Sequence, residues 1–245
     1  MIGIYIIAGL IIGSYCNVVI ARFNSEELHS YKYSHCLSCL TQIKWFDLIP
    51  IISFLLLKGK CRYCNERISF RYPFVELLTA ILYVAAFNMF GLSINCVLMC
   101  ILSSLLVCIT FIDIDHMIIP NKFVAIIFLF GIARLFLTNE LTLSSALYGG
   151  LIGYGFLALI AVVTGAMGGG DVKLMGAAGF WLGSGGTVLA LMLGFLLGSI
   201  IGVALIALKI KTRKDYIPFG PYLCIGIFVS LLYGTSIIEW YLNFV

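Results

Sequence analysis

Two acids and four cysteines are the residues of this chain placed to do chemistry. Asp171 stands in Gly165-Ala-Met-Gly-Gly-Gly-Asp-Val-Lys173, a glycine-dense break between two long apolar runs. An acid in such surroundings is a functional candidate, normally with an ionisable partner, because burying its charge in hydrocarbon is costly. An interrupted helix is tolerated at membrane depth where its freed backbone groups line a cavity, so Asp171 is expected to face a wet pocket. The second acid is Asp113, in Phe111-Ile-Asp-Ile-Asp-His-Met-Ile-Ile-Pro120, where it lies closest to the preceding apolar helix. Asp115 and His116 read as part of a polar loop. The cysteines form two knuckles, Cys36-Leu-Ser-Cys39 and Cys61-Arg-Tyr-Cys64, with 21 residues between them. Paired C-x2-C knuckles present four thiolates to one tetrahedral ion, and a structural zinc suits such a closed, redox-inert site. An iron–sulfur cluster or a thiol-exchange pair is the competing reading.

The elements that must position these groups are membrane spans. With 62% hydrophobic and 11% charged residues, the composition lies far from that of a soluble domain. The chain reads as an all-α polytopic membrane protein of about eight transmembrane helices, with a small zinc-knuckle domain inserted after the first. Residues 1–21 form that first span, which lacks the basic region and cleavage site of a removable signal. Residues 22–72 are the polar four-cysteine insertion, and residues 73–245 hold seven more helices. Gly13, Ser14 and Asn17 read as helix-packing residues. Trp45, Phe46 and the apolar residues up to Phe54 read as a mini-core of the insertion or as a surface resting on the bilayer. Glu76 stands near an interface, either snorkelling beside Arg71 or serving a site. Arg134 is expected to snorkel at the outer end of its span.

A net charge of +4 is weak ground for nucleic-acid binding, and its distribution speaks instead to orientation. Arg22, Lys32, Lys44, Lys58, Lys60, Arg62, Arg67 and Arg71 lie in the insertion, and Lys209, Lys211, Arg213 and Lys214 lie in one late loop. Both segments are expected in the cytoplasm and both termini outside, since cytoplasmic loops are enriched in Lys and Arg. Threading the spans this way puts Asp113 and Asp171 at the same, inner, face. The reducing cytoplasm also argues against disulfides.

Together these residues resemble a type IV prepilin peptidase, a bacterial membrane aspartyl protease of the Gly-x-Gly-Asp class, over nearly the full length. The resemblance rests on Gly13-Ser-Tyr-Cys-Asn-Val, the two knuckles, Ile43-Lys-Trp-Phe-Asp47-Leu-Ile-Pro50 and Gly59-Lys-Cys-Arg. It extends through Ile68-Ser-Phe-Arg-Tyr-Pro73-Phe-Val-Glu-Leu, Asp113 seven residues before Pro120, Gly168-Gly-Gly-Asp171-Val-Lys-Leu, and Pro218-Phe-Gly-Pro221. Two departures are Leu37, where relatives usually carry proline, and Phe23-Asn24, where a proline is common. The resemblance implies that Asp113 and Asp171 are a catalytic pair, cutting a short basic leader from prepilin or pseudopilin precursors at the cytoplasmic face of the bacterial inner membrane. It also implies methylation of the new N-terminus from S-adenosylmethionine, at residues the motifs do not place. Lys173 reads as an anchor of its helix end. Two paired carboxyl groups share a proton, so one can activate water while the other polarises the scissile carbonyl.

Two other classes of function are compatible with parts of the pattern. A transporter would use intramembrane acids at broken helices, but it predicts related interruptions in two halves and the sequence has one glycine break of this kind. A zinc-bearing scaffold leaves both acids without a role.

Overall fold

The computed structural model describes residues 1–23, 33–36, 38–138, 140–165, 167–212 and 215–244. Asn24, His29, Lys32, Leu37, Arg213 and Lys214 therefore lie outside the described residues. The chain divides into two compact units, Met1–Cys108 and Ile109–Val245.

The first unit contains α1 (Ile2–Arg22), the short α2 (Ile52–Leu56), α3 (Arg71–Phe90) and most of α4 (Ile94–His116). Lipid tails are as apolar as leucine, so membrane helices associate through close packing rather than a hydrophobic drive. The pairing of α1 with α3 follows this rule. A Cβ on Gly13 would stand 2.7 Å from the Cα of Glu76, and one on Gly9 would stand 2.5 Å from the Cα of Ala80. Asn17 is buried and its Nδ2 donates to the Tyr72 carbonyl at 3.0 Å. Gly13 and Asn17 are thus helix-packing residues, as the sequence predicts. The mini-core does not form: Trp45 is 78% exposed, and neither the 3-10 turn Trp45–Leu48 nor α2 buries a residue.

The second unit runs from the end of α4 through α5 (Asn121–Thr138), α6 (Leu143–Thr164), α7 (Gly169–Ala207) and α8 (Gly220–Phe244). Among the described residues seven helices are long and apolar enough to cross a membrane. The longest, α7, is two spans. Gly183 breaks it with φ 67° and ψ −177°, a conformation that favours glycine. Met175 and Thr187 would lie about 18 Å apart on a straight helix. Both instead approach Gly153 of α6, whose Cβ would meet the Met175 carbonyl at 2.5 Å and the Thr187 methyl at 3.2 Å. The chain therefore turns back at Gly183, and the arms 169–182 and 184–207 account for the sixth and seventh of the eight expected spans. Ser145 closes the turn, its Oγ accepting the N–H of Ser184 at 3.3 Å.

The first arm is roughly 21 Å long, short of the roughly 30 Å hydrocarbon layer. Its pairing with α6, Gly149 against Gly179 and Gly153 against Met175, extrapolates to Asp171 at the level of Leu157. That is about 10 Å short of the end of α6 at Thr164. Arg134 does not snorkel. It is 6% exposed, with Nη1 donating to the Trp181 carbonyl at 2.7 Å and Nη2 to Glu140 at 2.6 Å. The Trp181 indole N–H in turn donates to the Ile127 carbonyl at 2.8 Å, tying α5 to the first arm.

Gly183→Ala is expected to lower the thermal midpoint of the purified protein in detergent. It forces a left-handed φ, worth about 1–3 kcal/mol, and sets a Cβ 2.6 Å from Ser145 Oγ. An unchanged midpoint contradicts the turn described here.

Candidate active site and cysteine cluster

Asp113 lies in the last turn of α4 and is 5% exposed, whereas Asp115 and His116 in the same turn are exposed. Two residues further on a helix is roughly 200° around, so Asp113 turns inward and Asp115 outward. The helix ends as Met117 takes a positive φ of 54° and donates its N–H to the Asp113 carbonyl at 2.8 Å. The inward carboxylate is held by a residue 107 positions away: the N–H of Gly220 donates to Asp113 Oδ2 at 3.0 Å. Gly220 opens α8, whose first N–H groups have no partner in their own helix and whose dipole favours an anion. The Pro218-Phe-Gly-Pro221 motif therefore matters through one backbone N–H. A Cβ at Gly220 would stand 2.7 Å from the very oxygen it holds.

Asp171 is the third residue of α7, after the N-cap Gly168. Its N–H bonds the Gly168 carbonyl at 3.2 Å, and its carboxylate reaches back to the Gly168 N–H, the acidic half of a capping box. The residue is 8% exposed, and its Oδ1 is the one fully buried side-chain oxygen or nitrogen among the described residues without a hydrogen-bond partner. Buried polar atoms are rarely left so, and one aimed at an incoming group is an ordinary reason.

The two acids meet. Gly170, beside Asp171, packs on Ile119, with the Ile119 Cβ 2.9 Å from where a Cβ would be. The other end of Ile119 lies 3.3 Å from the corresponding point at Gly220, beside Asp113. The carboxyl groups are close enough to act on each other electrostatically, and the Cys224 thiol lies within range of both. Of the three glycines before Asp171, Gly170 is spent on packing against Ile119, while Gly169 has open space around its Cα. Lys173 is an exposed anchor, its Nζ donating to Asn121 Oδ1 at 3.1 Å.

The cysteines of the first unit converge as the spacing predicts. The two knuckles are copies of one local geometry. In each, the residue before the first cysteine bridges a partner seven positions on, His35 with Gln42 and Lys60 with Arg67. In each, the residue after the second cysteine has a positive φ, 55° at Leu40 and 57° at Asn65, and donates its N–H to the first cysteine's carbonyl. All four sulfurs lie within 4.8 Å of one another, and those of Cys36 and Cys64 are 3.7 Å apart. A tetrahedral ion with metal–sulfur bonds of ~2.3 Å spaces its sulfurs ~3.8 Å apart, so the cluster can hold one metal ion. The Thr41 hydroxyl and N–H draw the Cys39 thiol down to about 6. Cys64 receives the Glu66 N–H, yet desolvation and its sulfur neighbours Cys61, Cys39 and Cys36 push it up to about 12. His35 stands outside the cluster, its ring against the Tyr33 carbonyl.

Sequence reasoning missed two supports. Asp47 takes a forked ion pair from Arg62, with Nη2 at 2.6 Å and Nε at 2.9 Å, locking the second knuckle to the 3-10 turn. This pair holds the Asp47 carboxyl below its ordinary value. Glu76 does not snorkel beside Arg71. It is 7% exposed, and its Oε2 accepts the N–H of Ile51 at 2.8 Å.

Known proteins carry the same plan. Residues 7–90 match the family model described as the bacterial peptidase A24 N-terminal domain, and residues 100–203 match the type IV leader peptidase family. Over 99% of its length the chain is 37% identical to a prepilin leader peptidase/N-methyltransferase of Bacillus subtilis, covering 98% of that protein. It is 36% identical to the protein of the same name from Aeromonas salmonicida, over 96% of this chain and 91% of the relative. With that of Pseudomonas aeruginosa it shares 33% over 98% of this chain and 92% of the relative. No solved structure matches the chain.

If the Gly220 N–H positions Asp113, Gly220→Ala reduces turnover of the site's peptide substrate at least tenfold while the thermal midpoint stays within a few degrees of wild type. Wild-type turnover in that variant would show that the contact does not matter.

Proposed function

Since the chain belongs to the type IV leader peptidase family, we infer that it is a multi-pass membrane endopeptidase that removes the leader from prepilins or pseudopilins, with Asp113 and Asp171 as its catalytic pair. The observation that carries this reading is the meeting of two buried carboxyl groups at the ends of different helices, one held by a helix N-terminus and the other with an unpartnered oxygen. The pair shares one proton. One carboxylate takes a proton from water as its oxygen attacks the scissile carbonyl carbon, and the other carboxyl group donates to the carbonyl oxygen. Collapse of the tetrahedral species breaks the C–N bond, and the departing amine takes a proton. The open backbone at Gly169 leaves room for an extended substrate chain beside the pair.

The cell side of the site follows from charge. Basic residues of the insertion and of the loop from Lys209 mark the cytoplasmic face, so cleavage takes place at the inner face of the bacterial cytoplasmic membrane. The cysteine cluster holds structural zinc, which closes a domain whose described helical turns bury no residue of their own. As in the names of its relatives, the chain also acts as an N-methyltransferase, with S-adenosylmethionine as donor. Cleavage precedes methylation, because only cleavage creates the free α-amino group.

Asp113→Asn and Asp171→Asn are each expected to abolish cleavage of a prepilin, and the double variant to be scarcely worse than either. Asp115→Asn keeps most of the activity. The assay is mass spectrometry of the product N-terminus at matched protein and zinc content, and wild-type turnover in either of the first two variants eliminates the mechanism. Elemental analysis of protein purified without chelator is expected to give one zinc per chain and a smaller content in Asp47→Asn. Iron with sulfide, or no stoichiometric metal, would refute the zinc assignment.

A further inference from the structure

The insertion carries apolar side chains that its own fold does not cover. In α2 and its C-cap these divide into two sets. Ser53, Phe54 and Leu57 line a cavity shared with α1 and the first turns of α3. Ile52, Leu55 and Leu56 are not in that lining, and the two leucines are 67% and 77% exposed. A helix apolar on both sides must be covered on both.

Helix α3 shows what covers the outer one. Phe70, Phe74, Leu77 and Ile81 are exposed, and their spacing of i, i+4, i+7 and i+11 puts them in one row along the helix. Glu76, Thr79 and Ala80 lie on another side, where Gly9 and Gly13 of α1 pack. Since α3 is long and apolar enough to span a membrane, the exposed row is its lipid face. Phe70, the N-cap, carries that row to the helix end, and there the Phe54 ring of α2 meets it edge-on with centroids 6.2 Å apart.

Depth is set by Glu76, about 8 Å along α3 from Arg71. Its carboxylate takes the Ser14 hydroxyl of α1 and, at 2.8 Å, the N–H of Ile51. At Ile51 the chain turns sharply, with φ 59° and the Ile52 N–H bonded back to the Pro50 carbonyl, and it enters α2. Helix α2 therefore starts beside the first turns of α3 rather than beyond them, at the level where a span meets the headgroups. Charge agrees with that level. Lys44, Lys58 and Lys60 are exposed on the segments flanking the 3-10 turn and α2, which pack together. Of the two acids in the described part of the insertion, Asp47 is committed to Arg62 and Glu66 lies on the second knuckle.

We propose that α2 is an interfacial foot of the insertion. Ile52, Leu55, Leu56 and Phe70 lie among acyl chains just beneath the headgroups, and Lys44, Lys58 and Lys60 lie in a layer of anionic headgroups. The bilayer supplies the apolar cover that a core would otherwise give. One side of α2 is held in lipid, and the other is thereby fixed as a wall of the cavity.

The test uses full-length, zinc-loaded protein in nanodiscs of phosphatidylcholine and phosphatidylglycerol. Benzoylphenylalanine is placed at Leu55, Leu56, Leu77 or Glu66, one position at a time, and adducts formed under ultraviolet light are identified by mass spectrometry. Positions 55 and 56 are expected to give lipid adducts in a yield close to that of position 77 in the span, and roughly tenfold above that of position 66. Lys58→Glu combined with Lys60→Glu is expected to move the adducts at position 55 from phosphatidylglycerol toward phosphatidylcholine, and an unchanged lipid preference overturns the headgroup contact. Hydroxyl-radical footprinting of the unsubstituted protein, normalised to the unfolded chain, is expected to protect residues 52–56 as fully as α3 while Tyr63 is oxidised. Adducts at positions 55 and 56 to a second copy of the chain, a lipid yield no higher than at position 66, or oxidation of residues 52–56 to the level of Tyr63 overturns the proposal.

Discussion

A backbone N–H or a carboxylate inside hydrocarbon has no water to turn to, so each helix end at membrane depth must find a partner within the protein. The second unit solves this problem three times with the same device. The N–H of Gly220 at the start of α8 meets Asp113, the N–H of Gly168 at the start of α7 meets Asp171, and the N–H of Ser184 after the break at Gly183 meets Ser145. In two of the three the acceptor is an acid proposed to be catalytic. The acids that threaten stability in an apolar layer are the groups that pair the helix ends there, which lets the proposed dyad belong to the fold.

Glycine makes the arrangement compact enough to work. Gly149 and Gly153 of α6 admit the backbone of the first α7 arm, and Gly170 admits Ile119. Ile119 then spans from Gly170 to Gly220, so one aliphatic side chain sets the spacing between the helix ends that carry and hold the two acids. The first unit follows another principle. With Trp45, Leu55 and Leu56 exposed, the described residues of the insertion form no apolar core to fold around. Its order comes from the cysteine cluster, the Asp47–Arg62 fork and the bond from Ile51 to Glu76. A chelated ion suits a domain so short of core.

Much of this was legible in the sequence because the signals were local. Runs of apolar residues marked the spans, and the C-x2-C spacing marked the cluster. Glycine density marked Asp171, and counting spans put Asp113 on the same face. The residues that escaped were those whose partners lie far along the chain. Nothing near Gly220 announces that its N–H serves Asp113, 107 positions earlier. Arg134 read as a snorkelling residue because, besides nearby Glu140, the partner that draws it inward is the Trp181 carbonyl, a backbone group 47 positions away with no side-chain signature. Glu76 read as interfacial from its place beside Arg71, and only the turn at Ile51 shows why it is buried. Local pattern singles out the buried acids and the converging cysteines; what holds them is written in tertiary packing.

The most direct measurement of the central claim is the affinity of a hydroxyethylene mimic of the leader junction, in which a tetrahedral hydroxyl replaces the scissile carbonyl. Such a hydroxyl sits between both carboxyl groups only if they face one reacting centre. Transition-state mimics bind ~10²-fold or more tighter than substrates, so the effect is large enough to read. Asp113→Asn and Asp171→Asn should each weaken binding of the mimic at least tenfold while binding of uncleaved precursor stays near wild type. Full affinity for the mimic in either variant would contradict a shared acid pair.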